Sequence, residues 1–379
     1  MTIILFIIVL AILVFVHELG HFLVAKRSGV RVDEFGIGFP PRLFGFKKGE
    51  TLYSINLIPF GGFVKIFGEN GETGETVPAQ ISSGGNVARS PLSDSRSFVN
   101  QKRRTQALIL VAGVLFNFVF GWLLIGGSYT VGSPVSVEGY EGNLIGEPRL
   151  LVISVVPESP AAKAGLKVGD EIVSISGGGN TDSDPTIDDV QRIILQAGSV
   201  GGSVDLRVKR GGEDTTKAIV PVATGGGENN PVIGIGMDRI GVARMNIFSA
   251  LYQGFKTSVN MGVVVAVNLF SLILDAVLGR ADLSNVAGPV GIAGLVGDAG
   301  RLGFTYLMSF TAFISINLAV LNLLPFPALD GGRLVFVAIE AIRRKPVSAK
   351  VTAAVNTAGF LLLLVLIAVI TWNDIARLL

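Results

Sequence analysis

Four stretches of this chain are long and apolar enough to cross a bilayer, and they commit it to folding in lipid. A helix needs roughly 20 largely apolar residues to span the hydrocarbon core. The stretches are Thr2 to Ala25, Gln106 to Gly127, Leu302 to Leu324 and Val351 to Trp372. Charged residues make up 16% of the 379, against about a quarter in soluble domains. The net charge of +2, with no basic run interleaved with aromatics, argues against a nucleic-acid partner. The chain has no cysteine, which excludes disulfides and thiolate metal sites. The first run lacks a basic leading segment and a small-residue cleavage site, so it reads as a retained helix rather than a signal peptide.

A fifth run, Val259 to Leu278, is interrupted by Asn260, Asn268, Ser271 and Asp275. Basic residues near helix ends mark the cytoplasmic side. Here they lie in the loop from Lys26 to Arg104 and at Arg343-Arg344-Lys345 with Lys350. Four spans put both basic loops inside and both termini outside; a fifth would turn one basic loop outward. The expectation is therefore a polytopic α-helical membrane protein with four transmembrane helices, 259–278 forming an interfacial or re-entrant helix. The expected divisions are 1–27 (first span), 28–104 (a cytoplasmic-side membrane-associated β-loop and linker) and 105–128 (second span). They continue with 139–223 (an extracytoplasmic domain), 245–300 (the interfacial or re-entrant region), 301–332 (third span) and 351–373 (fourth span).

Two non-spanning regions have their own patterns. The stretch "LLVISVVPESPAAKAGLKVGDEIVSISG" alternates as a strand at Leu151–Val156, turns at Pro157, forms a short helix at Pro160–Ala164 and resumes as a strand at Glu171–Ser176. It resembles a PDZ domain of the bacterial, protease-associated kind, so one inserted PDZ-like α+β domain is expected. Such domains bind extended peptides or free C-termini along a strand edge. The loop Val30–Glu69 holds strand-like runs at Thr51–Leu57 and Phe63–Phe67 around Phe60-Gly61-Gly62-Phe63. It is too apolar for a free cytoplasmic loop and predicts a hairpin dipping toward the membrane, where its backbone needs protein or a cavity around it.

The chemistry sits in "VFVHELGHFLVAK", Val14 to Lys26. His17 and His21 are one helical turn apart on one face, and they are the only histidines in the chain. Glu18 stands beside the point on which they converge. This HExxH spacing predicts a zinc site with two imidazole ligands and Glu18 as general base toward water. Packing histidines are the alternative, but an uncompensated glutamate at membrane depth is costly. A catalytic zinc usually takes three protein ligands, and with no further histidine or cysteine the third must be an oxygen. Asp275, Asp330, Glu340 and Asp374 lie near membrane helices. Span parity favours Asp330, because the third span and the first both end inside. Asn322, Pro325, Pro327 and Gly331-Gly332 surround it and predict a helix break at membrane depth, tolerable only around a cavity.

His17-Glu18-Leu19-Gly20-His21, paired with the run from Asn322 to Gly331, resembles the site-2 protease family of intramembrane zinc metalloproteases. "AGVLFNF", with Gly113 and Asn117, is similar to that family's second-helix pattern. "PFGGFVKIFGE" is similar to its membrane-associated β-loop, and "GPVGIAG" to a segment before its third core helix. The likeness is nearest to the bacterial RseP type, though with one PDZ domain where many such members have two. It implies a zinc metalloendopeptidase of the bacterial plasma (inner) membrane, with one Zn2+ per chain held by His17, His21 and Asp330. The active site would lie toward the cytoplasmic side and the PDZ domain outside. The implied substrates are single-pass membrane proteins such as anti-sigma factors, first trimmed by a site-1 protease and then cut within the membrane. Asn322, Pro325, Pro327, Gly61 and Gly62 become candidate substrate-binding residues, and Asn117 either a substrate contact or an interhelical hydrogen bond. A catalytically silent PDZ-bearing adaptor has no use for Glu18, and a metal transporter would spread its polar residues along a path across the membrane.

Overall fold

The computed structural model describes residues 2–69, 94–138, 140, 142, 144–223, 230–280 and 286–376. Of the expected β-loop and linker at 28–104, residues 70–93 lie outside these residues. The chain divides into two compact units, residues 1–126, 251–297 and 308–379 in one and 127–250 with 298–307 in the other.

The first unit is helical. It contains α1 (Thr2–Arg27), the strands β1 (Val32–Lys48) and β2 (Thr51–Ile66), and α2 (Arg103–Val131). Beyond the inserted unit follow α5 (Ile247–Val277), α6 (Pro289–Leu302), α7 (Phe304–Leu323), α8 (Asp330–Arg343) and α9 (Ala349–Ala376). Among the described residues α1, α2, α5, α7 and α9 are long and apolar enough to cross a membrane. The protein is a multi-pass membrane protein. Of the run 259–278, expected as an interfacial or re-entrant helix, residues 259–277 form the second part of the continuous 31-residue α5.

Lipid supplies no hydrophobic drive between helices, so close backbone approach and interhelical hydrogen bonds hold such a bundle. A Cβ on Gly20 would stand 2.5 Å from Ala112 O, so α1 and α2 touch backbone to backbone there. On α2, Gly121 faces Ile316 and Ala312 O of α7, and Ser315 Oγ donates to Asn117 O at 2.7 Å. Gly254 of α5 packs on the backbone of Gly126, while Trp122 Nε1 donates to Leu251 O at 2.8 Å.

β1 and β2 are long strands that bend. The first half of β1 pairs with both halves of β2 (Phe35 opposes Tyr53 and Val64), and its second half pairs only with the start of β2 (Phe46 opposes Tyr53). The two runs expected as separate strands thus join into one bent strand, and Val32–Lys48 adds a partner that alternation in the sequence did not reveal. The segment 62–66 of β2 forms one edge. Phe22, Phe35, Ile66, Leu110 and Val337 make a common core that seats the hairpin on α1, α2 and α8.

The second unit carries β3 (Ser133–Ser136), β4 (Leu144–Val155), α3 (Pro160–Lys163), β5 (Glu171–Gly177), β6 (Asn180–Asp182), α4 (Ile187–Ser199), β7 (Val204–Arg210) and β8 (Glu213–Ile219). β9 (Val222–Ala223), β10 (Pro231–Val232) and β11 (Ile235–Ala243) complete it. Its main sheet has the order β3-β11-β4-β5-β7-β8, with β6 paired to β5. β3 and β11 lie outside 139–223, so the sheet draws on residues beyond the expected segment. Apolar residues alternate along β7 (Val204, Leu206, Val208) and recur at helical spacing along α4 (Val190, Ile193, Ala197), and the two faces bury each other. Ser159 caps α3, accepting from Ala162 N at 3.2 Å, and Thr186 with Asp189 forms a capping box on α4.

Candidate metal centre

α1 presents His17 and His21 from successive turns, their rings 4.7 Å apart and nearly perpendicular. At 1.5 Å per residue, His21 sits about 9 Å along the axis from Arg27 at the basic end of the helix. Its Nδ1 donates to Ile109 O of α2 at 2.8 Å. A carbonyl can only accept, so Nδ1 holds the proton and, in the neutral ring, Nε2 carries a lone pair. That Nε2 lies 3.2 Å from His17 Nε2.

Asp330 completes the cluster from the start of α8. α7 stops at Leu323, and the chain turns through Pro325 and Pro327, with Ala328 in the left-handed region at φ 72°. α8 then starts close against the turn it has just left. A Cβ on Gly331 would stand 2.1 Å from Leu324 O, and one on Gly332 2.1 Å from Phe326 O. Glycine is required at both, and this fold-back brings Asp330 Oδ2 to 3.1 Å from His17 Nε2 and 3.2 Å from His21 Nε2.

The three residues fit a zinc ion. Bonds of about 2.0–2.1 Å in a tetrahedron separate neighbouring ligand atoms by about 3.3 Å, close to the observed spacings. Asp330 Oδ2 is buried with no hydrogen-bond partner, and the lone pair of His21 Nε2 aims at the same point. Without a cation, that convergence would be repulsive. Among the described residues this is the one group of three or more histidines and carboxylates able to share a metal ion.

Glu18 lines a cavity of about 180 Å³ beside the cluster, together with Phe63, Val64 and Ile66 of β2, Glu69 and Arg333. Gly62 lies against Glu18, since a Cβ there would be 3.7 Å from Glu18 Cγ, and Gly61 is packed on Phe39. The hairpin therefore lays its 62–66 edge along the metal cluster. Asn322, Pro325 and Pro327 are not among the residues lining the cavity; Asn322 is half-buried on the last turn of α7 and the prolines shape the turn before Asp330. Asn117 is fully buried, with its amide 3.3 Å from His17 Nδ1.

The other carboxylates serve elsewhere. Asp374 accepts from Gly288 N at 3.2 Å and Gly291 N at 2.8 Å, so it caps α6. Glu340 pairs with Arg103 at 2.6 Å and accepts from Val347 N. Asp275 is exposed on α5. Sequence reasoning overlooked the Glu69–Arg333 ion pair, 2.5 Å long, which ties the end of the hairpin to α8 one turn past Asp330. The available signal was an arginine three residues after a candidate ligand inside an apolar run.

Comparison with known proteins decides the family. The model of peptidase family M50 matches residues 5–366. The chain belongs to peptidase family M50. It is 32% identical to the zinc metalloprotease RasP of Geobacillus kaustophilus, covering 99% of this chain and 98% of that protein. It is also 32% identical to the regulator of sigma-W protease RasP of Bacillus subtilis, over 100% of this chain and 99% of that one. A candidate zinc metalloprotease of Clostridium perfringens is 36% identical over 96% of this chain and 95% of its own length. This M50 protein is a membrane-embedded zinc metalloprotease, and its His17–His21–Asp330 cluster is positioned to bind one metal ion.

Proposed function

We propose that His17, His21 and Asp330 hold the zinc and that Glu18 is the catalytic base of an endopeptidase that cuts transmembrane segments. The observation that carries this reading is the convergence of His17 Nε2, His21 Nε2 and Asp330 Oδ2 within 3.1–3.2 Å of one another, with Glu18 in the adjoining cavity. Zinc in such a site polarises a carbonyl and makes water acidic enough to deprotonate near pH 7. Glu18 takes that proton and returns it to the leaving amine.

A peptide bond inside a helix is screened by its own hydrogen bonds, so the substrate must be extended before it is cut. The 62–66 edge of β2 lines the cavity and has backbone groups free for a further strand. Gly61 and Gly62 keep that edge close to Glu18. Asn322 at the end of α7 is assigned to the substrate strand or the developing oxyanion, with Pro325 and Pro327 setting its position.

The second unit is a PDZ-like domain that receives a peptide or C-terminus. In support, a groove of about 420 Å³ runs between α4 (Gln191, Ile194, Leu195) and the segment 230–237. The substrates are single-pass membrane proteins, pre-trimmed by a site-1 protease; the Bacillus subtilis relative's link to sigma-W points to anti-sigma factors. The protein crosses the plasma membrane four times, with the metal centre toward the cytoplasm and the PDZ-like unit outside.

Glu18→Gln is the direct test. The variant should keep one zinc per chain and lose cleavage of a model transmembrane substrate by about 10²–10⁴-fold, the range for a positioned acid–base group. Cleavage within tenfold of wild type by the zinc-loaded variant would remove Glu18 from the mechanism.

A further inference from the structure

Asn117 lies on the same face of α2 as Gly113 and Ile109, four and eight residues after them. Ile109 O holds His21 Nδ1. Gly113 leaves the space the imidazoles fill, because a Cβ there would stand 2.4 Å from His21 Nε2 and 2.7 Å from His17 Cε1. Asn117 meets His17, with Nδ2 at 3.3 Å from Nδ1. Asn117 is fully buried, and its Oδ1 has no hydrogen-bond partner.

The chemistry of His17 decides which amide atom belongs there. His17 Nε2 points at His21 Nε2 and Asp330 Oδ2. On the reading of these three as zinc ligands, Nε2 supplies a lone pair and the ring proton sits on Nδ1. A donor then faces the Asn117 Nδ2 donor while a buried acceptor goes unused. A half-turn of the amide about Cβ–Cγ exchanges its two ends and cures both faults. We infer that Asn117 Oδ1 accepts from His17 Nδ1–H, making Asn117 a positioning residue for His17 rather than a substrate contact. α2 is then a mould for both ligands: a carbonyl for one ring, a void for both, and an amide for the other. Ser315 Oγ, donating to Asn117 O at 2.7 Å, fixes that turn of α2 to α7.

This inference rests on the zinc reading, and zinc affinity measured by chelator competition on the full-length protein separates the two. Removing the partner of a ligating histidine typically costs 10–100-fold in metal affinity. Asn117→Leu should lose affinity in that range, whereas Asn117→Asp, which keeps an acceptor, should recover most of it. A second readout comes from histidine labelled with ¹⁵N, since the chain has only two histidines to observe. In the zinc-loaded wild type both Nδ1 atoms should be protonated and hydrogen-bonded, and Asn117→Leu should shift one of them alone. Wild-type affinity in Asn117→Leu, or an equal loss in a folded Asn117→Asp, overturns the inference and leaves the zinc reading standing. Full zinc binding by His17→Ala would bring down the zinc reading itself, and the inference with it.

Discussion

At the scale of single residues, the candidate metal centre is governed as much by a missing side chain as by the three side chains that converge on it. Alanine is the better helix former, by about 1 kcal/mol over glycine, so propensity alone would favour Gly113→Ala. The structure reverses the sign, because the new Cβ would lie 2.4 Å from His21 Nε2 in a position where neither α1 nor α2 can yield. Gly113→Ala should therefore purify with unchanged helix content and well below one zinc per chain by elemental analysis; full occupancy would show that the rings can move aside. His17, Glu18 and His21 were legible in the sequence because their geometry is set within one turn of helix. Asp330 was legible, despite lying 309 residues beyond His21, because span parity and a proline-broken run narrow the choice of oxygen. What Gly113 and Arg333 do was not legible. Each acts across an interhelical or loop contact whose register no local pattern encodes.

Among the elements, two helix starts show how far from a helix its cap can come. α4 carries its own: Thr186 accepts from Asp189 N, and the Asp189 carboxylate accepts from Thr186 Oγ1 at 2.5 Å and from Arg192. Those hydrogen bonds, Thr186 first and Arg192 second, hold the Asp189 carboxyl at about 2. Because the folded value is depressed, the contribution to stability is complete above the ordinary value near 4 and is lost as pH falls from about 4 to 2. Thermal melts of the wild type should show that extra acid sensitivity, and Asp189→Ala should lack it while melting lower at neutral pH. α6 borrows its cap. Asp374, near the end of α9, accepts from Gly288 and Gly291, and a Cβ on Gly288 would stand 2.7 Å from its carboxylate. Loss of a cap costs about 0.5–2 kcal/mol, so Asp374→Ala should speed amide exchange in 289–302 several-fold, with Asp374→Asn in between. Unchanged exchange would assign α6 another anchor. The internal cap of α4 could be read from Thr186-x-x-Asp189, whereas the borrowed one could not, since donor and acceptor are 83–86 residues apart. The hairpin was only half legible for a related reason: a strand that bends and pairs on both edges breaks the alternation that marks a strand.

For the whole molecule, topology turns on whether α5 crosses the membrane, and its neighbours limit the answer. α5 meets α2 at Trp122 and Gly126, at the end of α2 away from the basic residues 102–104. Eleven residues past Val277, Gly288 is hydrogen-bonded to Asp374, near the end of α9 that lies away from the basic turn at 343–345. Gly297 packs on Thr2, at the end of α1 away from Lys26-Arg27. If α5 crossed, residues 278–287 would have to recross about 30 Å of hydrocarbon as a nearly extended chain, which reaches at most about 35 Å. Extended backbone exposed to lipid has no hydrogen-bond partners and is not tolerated. On the proposed four-span arrangement α5 therefore begins and ends on one side of the membrane. The absence of cysteine makes this directly measurable, since any single cysteine introduced is the only thiol. Arg280→Cys and Val200→Cys should both react with a membrane-impermeant maleimide added to intact cells, and Lys345→Cys only after the membrane is opened. If Arg280→Cys instead behaves like Lys345→Cys, the four-span arrangement is wrong.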